Sequence, residues 1–239
     1  MAASSSRARV VGLGDHRPGM PAAVGALVCL AASAVALALA PALMPASYSW
    51  VAHTTSESAA QGVAGAWLAR LGFLALGLGV LALSGPAWQL WGRLATGLHV
   101  AFGVLMVAAA AFSARPWESD VPFDATEDVL HSVAATAMGF AFAFGVVAVG
   151  WRTWRAAGRW RWRDATAVVA SVVFPLAMVG VDGYAGLLQR PIFVVAYLWY
   201  GAETLRLLRG PSRSAVKLSD AWPGDVTGRG GAGRVRVRP

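Results

Sequence analysis

A single cysteine, Cys29, excludes any disulfide within the chain and leaves the redox compartment unread. Lysine is as scarce: Lys217 is the only one, so nineteen of the twenty basic residues are arginine, a bias that with abundant alanine and glycine points to a GC-rich bacterial genome. Charge of either sign is thin, at 13% of residues against about a quarter in a soluble domain. The chain has no GxxxxGK[ST] or GxGxxG loop, no HExxH motif and no pair of histidines four apart. Phosphate-cradling and zinc-protease chemistries therefore lack their usual carriers, and no cofactor is expected.

Apolar residues make up 57% of the chain, and mean hydropathy is +0.56. They come in uncharged blocks of about 20 residues, the length that spans a hydrocarbon layer about 30 Å thick at about 1.5 Å per residue. Six blocks are present, near 22–44, 71–90, 94–113, 129–150, 165–181 and 187–208, with Pro175 placed to kink the fifth. The expected fold is all-α, a polytopic membrane protein with a six-transmembrane-helix bundle over residues 22–208. Residues 1–21 and the basic stretch 209–239 are too poor in apolar side chains to fold alone and are expected as disordered cytoplasmic tails. A secretory signal is the rival reading of the first block, given Arg7, Arg9 and Arg17 ahead of it and the small pair Ala38 and Ala40. The block exceeds the roughly 7–15 residues of a signal core and Pro41 follows the cleavage point, which favours a retained helix.

Orientation follows from where the arginines fall. One side of this topology holds Arg7, Arg9, Arg17, Arg93, Arg152, Arg155, Arg159, Arg161, Arg163 and every basic residue from Arg206 on, the other only Arg70, Arg115 and Arg190. Arginine-rich short loops stay on the cytoplasmic side, so both termini are expected in the cytoplasm of a bacterial cell, the bundle in its plasma membrane. Glu57, Glu118, Asp120, Asp124, Glu127, Asp128 and Asp182 segregate to the outer side. Trp50, Trp67, Trp117 and Tyr184 mark the outer boundary, and Trp88, Trp91, Trp151 and Trp154 the inner one, as amphipathic rings prefer. In the fourth loop, 151–163, Arg152, Arg155, Arg159, Arg161 and Arg163 alternate with Trp154, Trp160 and Trp162. Beside two spans, that mixture fits anionic lipid headgroups and not nucleic acid, so the lipid bilayer is the expected partner. No pattern in the chain sets an oligomeric state.

An ionised side chain within lipid costs about 3 kcal/mol unless it is paired or wet. The informative residues are therefore those at the outer boundary. The first loop offers His53, Ser56 and Glu57; the second span Arg70; the start of the fourth Asp124, Glu127, Asp128, His131 and Ser132; the end of the fifth and start of the sixth Asp182, Gln189 and Arg190. If 124–132 is helical, Asp124, Asp128 and His131 share a face. The four segments end at one membrane face and could converge on a single cluster, with Ser56, Glu57, Arg70, Asp128, His131 and Arg190 as the candidate ligand-binding set. The plainer reading makes Arg70 and Arg190 structural, neutralised by Glu57, Asp128 or Asp182. The most specific reading is a metal site, in which Glu57, Asp128 and His131 supply two oxygens and an imidazole and leave one zinc position open. Elsewhere, His99 reads as a buried histidine bonded to a neighbouring helix, Glu203 and Arg206 as a pair, and Gly72, Gly77, Gly79, Gly97 and Gly103 as points of close helix approach.

Three short motifs carry a resemblance: Ser56-Glu57, Asp128-Val129-Leu130-His131 and Gly186-Leu187-Leu188-Gln189-Arg190. Over residues 22–208 the chain resembles the bacterial and archaeal membrane family known as domain of unknown function 998. Gln189 stands where an acidic residue is expected before the arginine. The resemblance implies a six-helix bundle and singles out the outer cluster, while implying no reaction, substrate or cofactor.

Three functions remain open. The first is an outer-leaflet polar pocket that binds a lipid headgroup or small polar molecule. The second is a membrane-embedded, metal-dependent lipid hydrolase. The third is a structural or partner-binding membrane protein with no small-molecule site. The lack of a catalytic signature leans against an enzyme.

Overall fold

The structure is a computed structural model and describes residues 19–209. The expected tails, but for their inner edges, lie outside the described residues. Within them are six α-helices and no strand: α1 Met20–Leu39, α2 Ala66–Trp91, α3 Arg93–Ala111, α4 Ala125–Ala157, α5 Trp162–Gly180 and α6 Ala185–Arg209. Short 3₁₀ turns sit at Ala40–Leu43 and Glu57–Ala59. Gly92, at φ 83°, alone separates α2 from α3, a backbone conformation that side chains with a Cβ rarely adopt. Asp124 caps α4 by accepting the Thr126 and Glu127 N–H groups at 2.7 and 3.3 Å.

Five of the six helices are long and apolar enough to cross a membrane. The sixth has the length, 25 residues, but not the apolarity. Gln189, Arg190 and Pro191 open it, and Tyr197, Trp199, Tyr200 and Glu203 follow. α4 has 33 residues, about 50 Å at 1.5 Å per residue, so its ends must stand beyond an apolar layer about 30 Å thick. Its last turns take up residues 151–157, which the sequence places in a loop, and the link to α5 shrinks to 158–161. Trp151 and Trp154 pack ring to ring there at 4.9 Å, and Arg155 sits where the helix dipole favours a cation. Long exposed rows such as Val169, Val172, Val173, Leu176 and Val179 on α5 would be costly in water. The chain is a membrane protein.

Close packing follows the glycines in part. A Cβ at Gly77 would meet the Gly103 carbonyl at 2.8 Å, and one at Gly79 would meet Cys29 at 3.0 Å, so α2 lies tight against both α3 and α1. Gly97 faces open space and brings nothing closer, contrary to the expectation.

The arginine-rich end is locked by a buried charge network. Asp164 and Glu203 are 0% and 1% exposed, so neither carboxylate can rely on water. Arg161 grips Asp164 with two parallel bonds, Nε at 2.6 Å and Nη2 at 2.9 Å, and reaches Glu203 with Nη1 at 2.8 Å. Arg163 donates to Glu203 at 2.5 Å, and the indole N–H groups of Trp91 and Trp199 donate to Glu203 and Asp164 at 2.8 and 2.9 Å. The anticipated Arg206 pairing with Glu203 is present at 3.7 Å, the longest contact of the set. Above it His99 is fully buried, its Nδ1 2.9 Å from the Tyr200 hydroxyl and its ring stacked on Trp199 at 4.8 Å. That matches the expected interhelical histidine, seated against Gly145 where a Cβ would strike the ring at 2.7 Å.

Replacing Glu203 by alanine leaves two arginines short of their shared carboxylate, and breaking such a buried pair costs about 3–5 kcal/mol. The thermal midpoint of detergent-purified protein should fall clearly for Glu203→Ala and less for Glu203→Gln, which still accepts from Trp91. An alanine variant as stable as the parent would show that the network does not hold α5 to α6.

Candidate functional site

At the other end, the first loop is fastened to the start of α6. Its carbonyls take the N–H groups that a helix start leaves free: Gly186 donates to Ala52 at 3.3 Å and Leu187 to Val51 at 3.0 Å. Gln189 accepts the Thr55 N–H at 2.7 Å. Arg190 donates to the carbonyls of Trp50 and His53 at 2.6 and 3.3 Å and to the Tyr48 hydroxyl at 2.8 Å, with its guanidinium 4.5 Å above the Trp50 ring. Burial pushes the Tyr48 phenol above its ordinary value despite Arg190. The hydroxyl thus keeps its proton, accepting from Arg190 while donating to the Thr54 carbonyl at 3.1 Å. Gly186 is required by this contact, because a Cβ there would overlap the His53 carbonyl oxygen. His53 itself accepts the Ser49 N–H through Nδ1 at 2.9 Å and stacks on Trp117 at 5.0 Å. Glu57 folds back on its own loop, accepting from the Thr54 N–H at 2.6 Å and its hydroxyl at 2.9 Å.

A second knot joins the exit of α3 to the entry of α4. Glu127 accepts the Ser113 N–H at 2.6 Å, Asp128 the Arg115 N–H at 2.8 Å, and His131 Nδ1 stands 2.9 Å from the Phe112 carbonyl. Gln61, which the sequence reading passed over, ties the first loop into this knot. Its amide donates to the carbonyls of Ser113 and Asp124 at 2.8 and 3.1 Å, and its oxygen accepts the Asp124 N–H at 2.7 Å. Only its place in a polar loop beside an apolar block hinted at this. Arg70 donates to the carbonyls of Ala59 and Ala60, at 3.0 Å each.

The segments do gather at one end, but not as one ionic cluster. No ion pair joins Arg70 or Arg190 to Glu57, Asp128 or Asp182: among the described residues the salt bridges all lie in the Asp164 and Glu203 network. The arginines are satisfied by carbonyls, and Glu57 and Asp128 by backbone N–H groups. The same commitments undo the metal set. Glu57, Asp128 and His131 each hold a different stretch of backbone, and no group of three His, Cys, Asp or Glu side chains among the described residues is placed to hold a metal ion.

Beneath this cover lies a cavity of about 500 Å³ walled by α2 to α6. Phe73, Met106, Phe142 and Phe193 are typical of its lining, which is apolar almost throughout. Of the candidate set only Ser56 and His131 reach it, joined by Gln189 at the same end. Phe140 and Phe144 of α4 and Val172 of α5 line it while remaining exposed, so its mouth opens sideways between α4 and α5. His131 is 4% exposed, and its Nε2 is buried with no protein partner. A carbonyl can only accept, so the Phe112 contact fixes the proton on Nδ1 and leaves Nε2 of the neutral ring as an acceptor.

The family described as Protein of unknown function (DUF998) matches residues 23–206 of the chain. No curated protein and no solved structure matches.

Arg190 holds its loop through fork geometry more than through charge. Arg190→Lys should therefore lower the thermal midpoint nearly as far as Arg190→Ala, by the equivalent of about 1.5–3 kcal/mol for lost charged hydrogen bonds. A lysine variant as stable as the parent would assign the contact to charge alone.

Proposed function

The chain belongs to this family of unknown function, and on that premise we propose that it is a six-span plasma-membrane protein, both termini cytoplasmic, whose cavity takes up a membrane lipid from the outer leaflet. The observation that carries the reading is the cavity: apolar walls in which Thr136 and Ser171 are the other polar residues, a lateral mouth, and a polar end that holds Ser56, His131 and Gln189. Its volume of about 500 Å³ lies within the roughly 300–1,000 Å³ of small-molecule sites. A ligand entering between α4 and α5 comes from the hydrocarbon layer without crossing water. The hydrocarbon chain then occupies the apolar part, and the polar end of the molecule lies under the loop cover. This shifts the binding group from the expected cluster of ions to an apolar chamber with a short polar end.

The sixth span is supported by the way its charges are neutralised. Arg190 is held by loop carbonyls and Glu203 by arginines, so neither is left bare along α6. The cytoplasmic placement of the termini rests on the arginine asymmetry. At that inner end Arg152, Arg155 and Arg159 are exposed and suited to anionic headgroups, whereas Arg161 and Arg163 are committed to internal pairs. The metal-dependent hydrolase reading has no assembled ligand set to rest on.

Gly139 offers a clean test, since it lines the cavity and a Cβ there meets nothing within 4 Å. Gly139→Trp should fill the chamber without disturbing helix packing. Mass spectrometry of organic extracts from purified protein should find a bound lipid in the parent, reduced at least about tenfold in the variant, a difference worth about 1.4 kcal/mol. Equal lipid in both would remove the cavity from consideration. A fluorescent-protein fusion at Pro239 should fluoresce, and a periplasm-dependent reporter at the same place should stay inactive.

A further inference from the structure

We infer that the ligand of this cavity is an uncharged lipid alcohol, a hydrocarbon chain ending in a hydroxyl that donates its hydrogen bond to Nε2 of His131. The inference rests on the cavity reading and adds to it the chemistry of the head. Four polar atoms at this end of the bundle are buried without a protein partner: Thr55 Oγ1, Ser113 Oγ, Trp117 Nε1 and His131 Nε2. Of these residues only His131 lines the cavity. With Nδ1 held by the Phe112 carbonyl, its free nitrogen asks for a donor. Gln189 has the opposite need. Its oxygen is committed to the Thr55 N–H, so what remains to face a ligand is its amide donor. Ser56 can do either.

A hydroxyl answers both demands with one atom, its proton going to His131 and its oxygen accepting from Gln189 or Ser56. Charged heads fail on a separate ground. Apart from His131 itself no ionisable group lines the chamber; Glu57, Arg70, Asp128 and Arg190 are among those at this end. Each is already bonded to backbone or to a loop hydroxyl. A phosphate, carboxylate or ammonium would enter an apolar chamber with no opposite charge to meet it. An ester or ether head avoids that cost but offers no proton, and leaves the Nε2 acceptor unpaired in a dry site.

The test uses the full chain in detergent and measures displacement of tritiated oleyl alcohol by unlabelled oleyl alcohol, oleyl methyl ether and oleyl phosphate. The alcohol should bind roughly tenfold or more tightly than the ether, the usual scale for stranding a buried acceptor. His131→Asn keeps an N–H near the position of Nδ1 and drops the outer acceptor, so it should erase that preference by removing the group that the alcohol satisfies and the ether strands. Parent protein that binds the ether as well as the alcohol, or the phosphate better, would overturn the head-group assignment. If Gly139→Trp still abolished binding in that case, the cavity reading would survive. Should none of the three ligands bind, or should Gly139→Trp bind all of them undiminished, the cavity reading fails and takes this inference with it.

Discussion

Backbone N–H and C=O groups that leave a helix at the edge of an apolar layer must find partners, because little water reaches them and each one left bare costs several kcal/mol in hydrocarbon. The end of the bundle formed by residues 46–65, 112–124 and 181–186 is organised around that need. Long irregular connections lie over the helix ends there, and side chains that look like a functional ionic cluster serve to satisfy them. Arg190 and Arg70 donate to carbonyls; Glu57, Glu127 and Asp128 accept from N–H groups; Gln61 does both. Even the start of α6 is capped by loop carbonyls and not by a side chain of its own.

The opposite end has a different problem and a different solution. Its links are short, a single Gly92 between α2 and α3 and a few residues between α4 and α5, so few loose backbone groups need partners. Its difficulty is two carboxylates, Asp164 and Glu203, on buried faces of α5 and α6. Arg161 from the α4–α5 link and Arg163 from the first turn of α5 answer them, and the indoles of Trp91 and Trp199 supply the remaining donors. One end pairs charge with backbone, the other charge with charge, and the difference follows from loop length.

Much of this was legible in advance. Block length located all six helices, although α4 runs on to Ala157 beyond its block, and the buried interhelical role of His99 followed from a lone polar ring in an apolar run. The three motifs marked the family and, in part, the seams: Gly186 to Arg190 contacts the first loop at Tyr48 to Thr55, directly ahead of Ser56-Glu57. What misled was the assumption that charges in or near a membrane seek opposite charges. Carbonyls serve an arginine as well, and sequence spacing does not reveal which carbonyls lie within reach. Asp164 escaped notice for a related reason. Its indole partner Trp199 lies on another helix, and only the Arg161 to Asp164 spacing hinted at a pair. Residues 151–157 read as a loop because arginine and tryptophan interrupt the apolar run, yet both are accommodated in a helix whose end stands clear of the lipid.

The cavity was the least legible feature, since an empty space has no residue type of its own. Its trace is a stripe on α4, Ala135, Gly139 and Ala143, small residues four apart that all face the chamber, with Phe140 and Phe144 beside them at the mouth. Elsewhere in the chain small residues draw helices together, as Gly77 and Gly103 do. Here α5 does not close the gap, and its attachments explain why. Its first turn is fixed by Asp164 to Trp199 of α6, while its far end passes through exposed residues 181–184 into a helix start already pinned by the first loop. Pro175 also removes the N–H that would bond the Ser171 carbonyl, loosening α5 where both residues line the space. α5 touches α4, but its two ends are also tied to α6 and, through the start of α6, to the first loop, and it does not settle onto the small stripe. The room beside His131 is a consequence of how the helix ends are fastened.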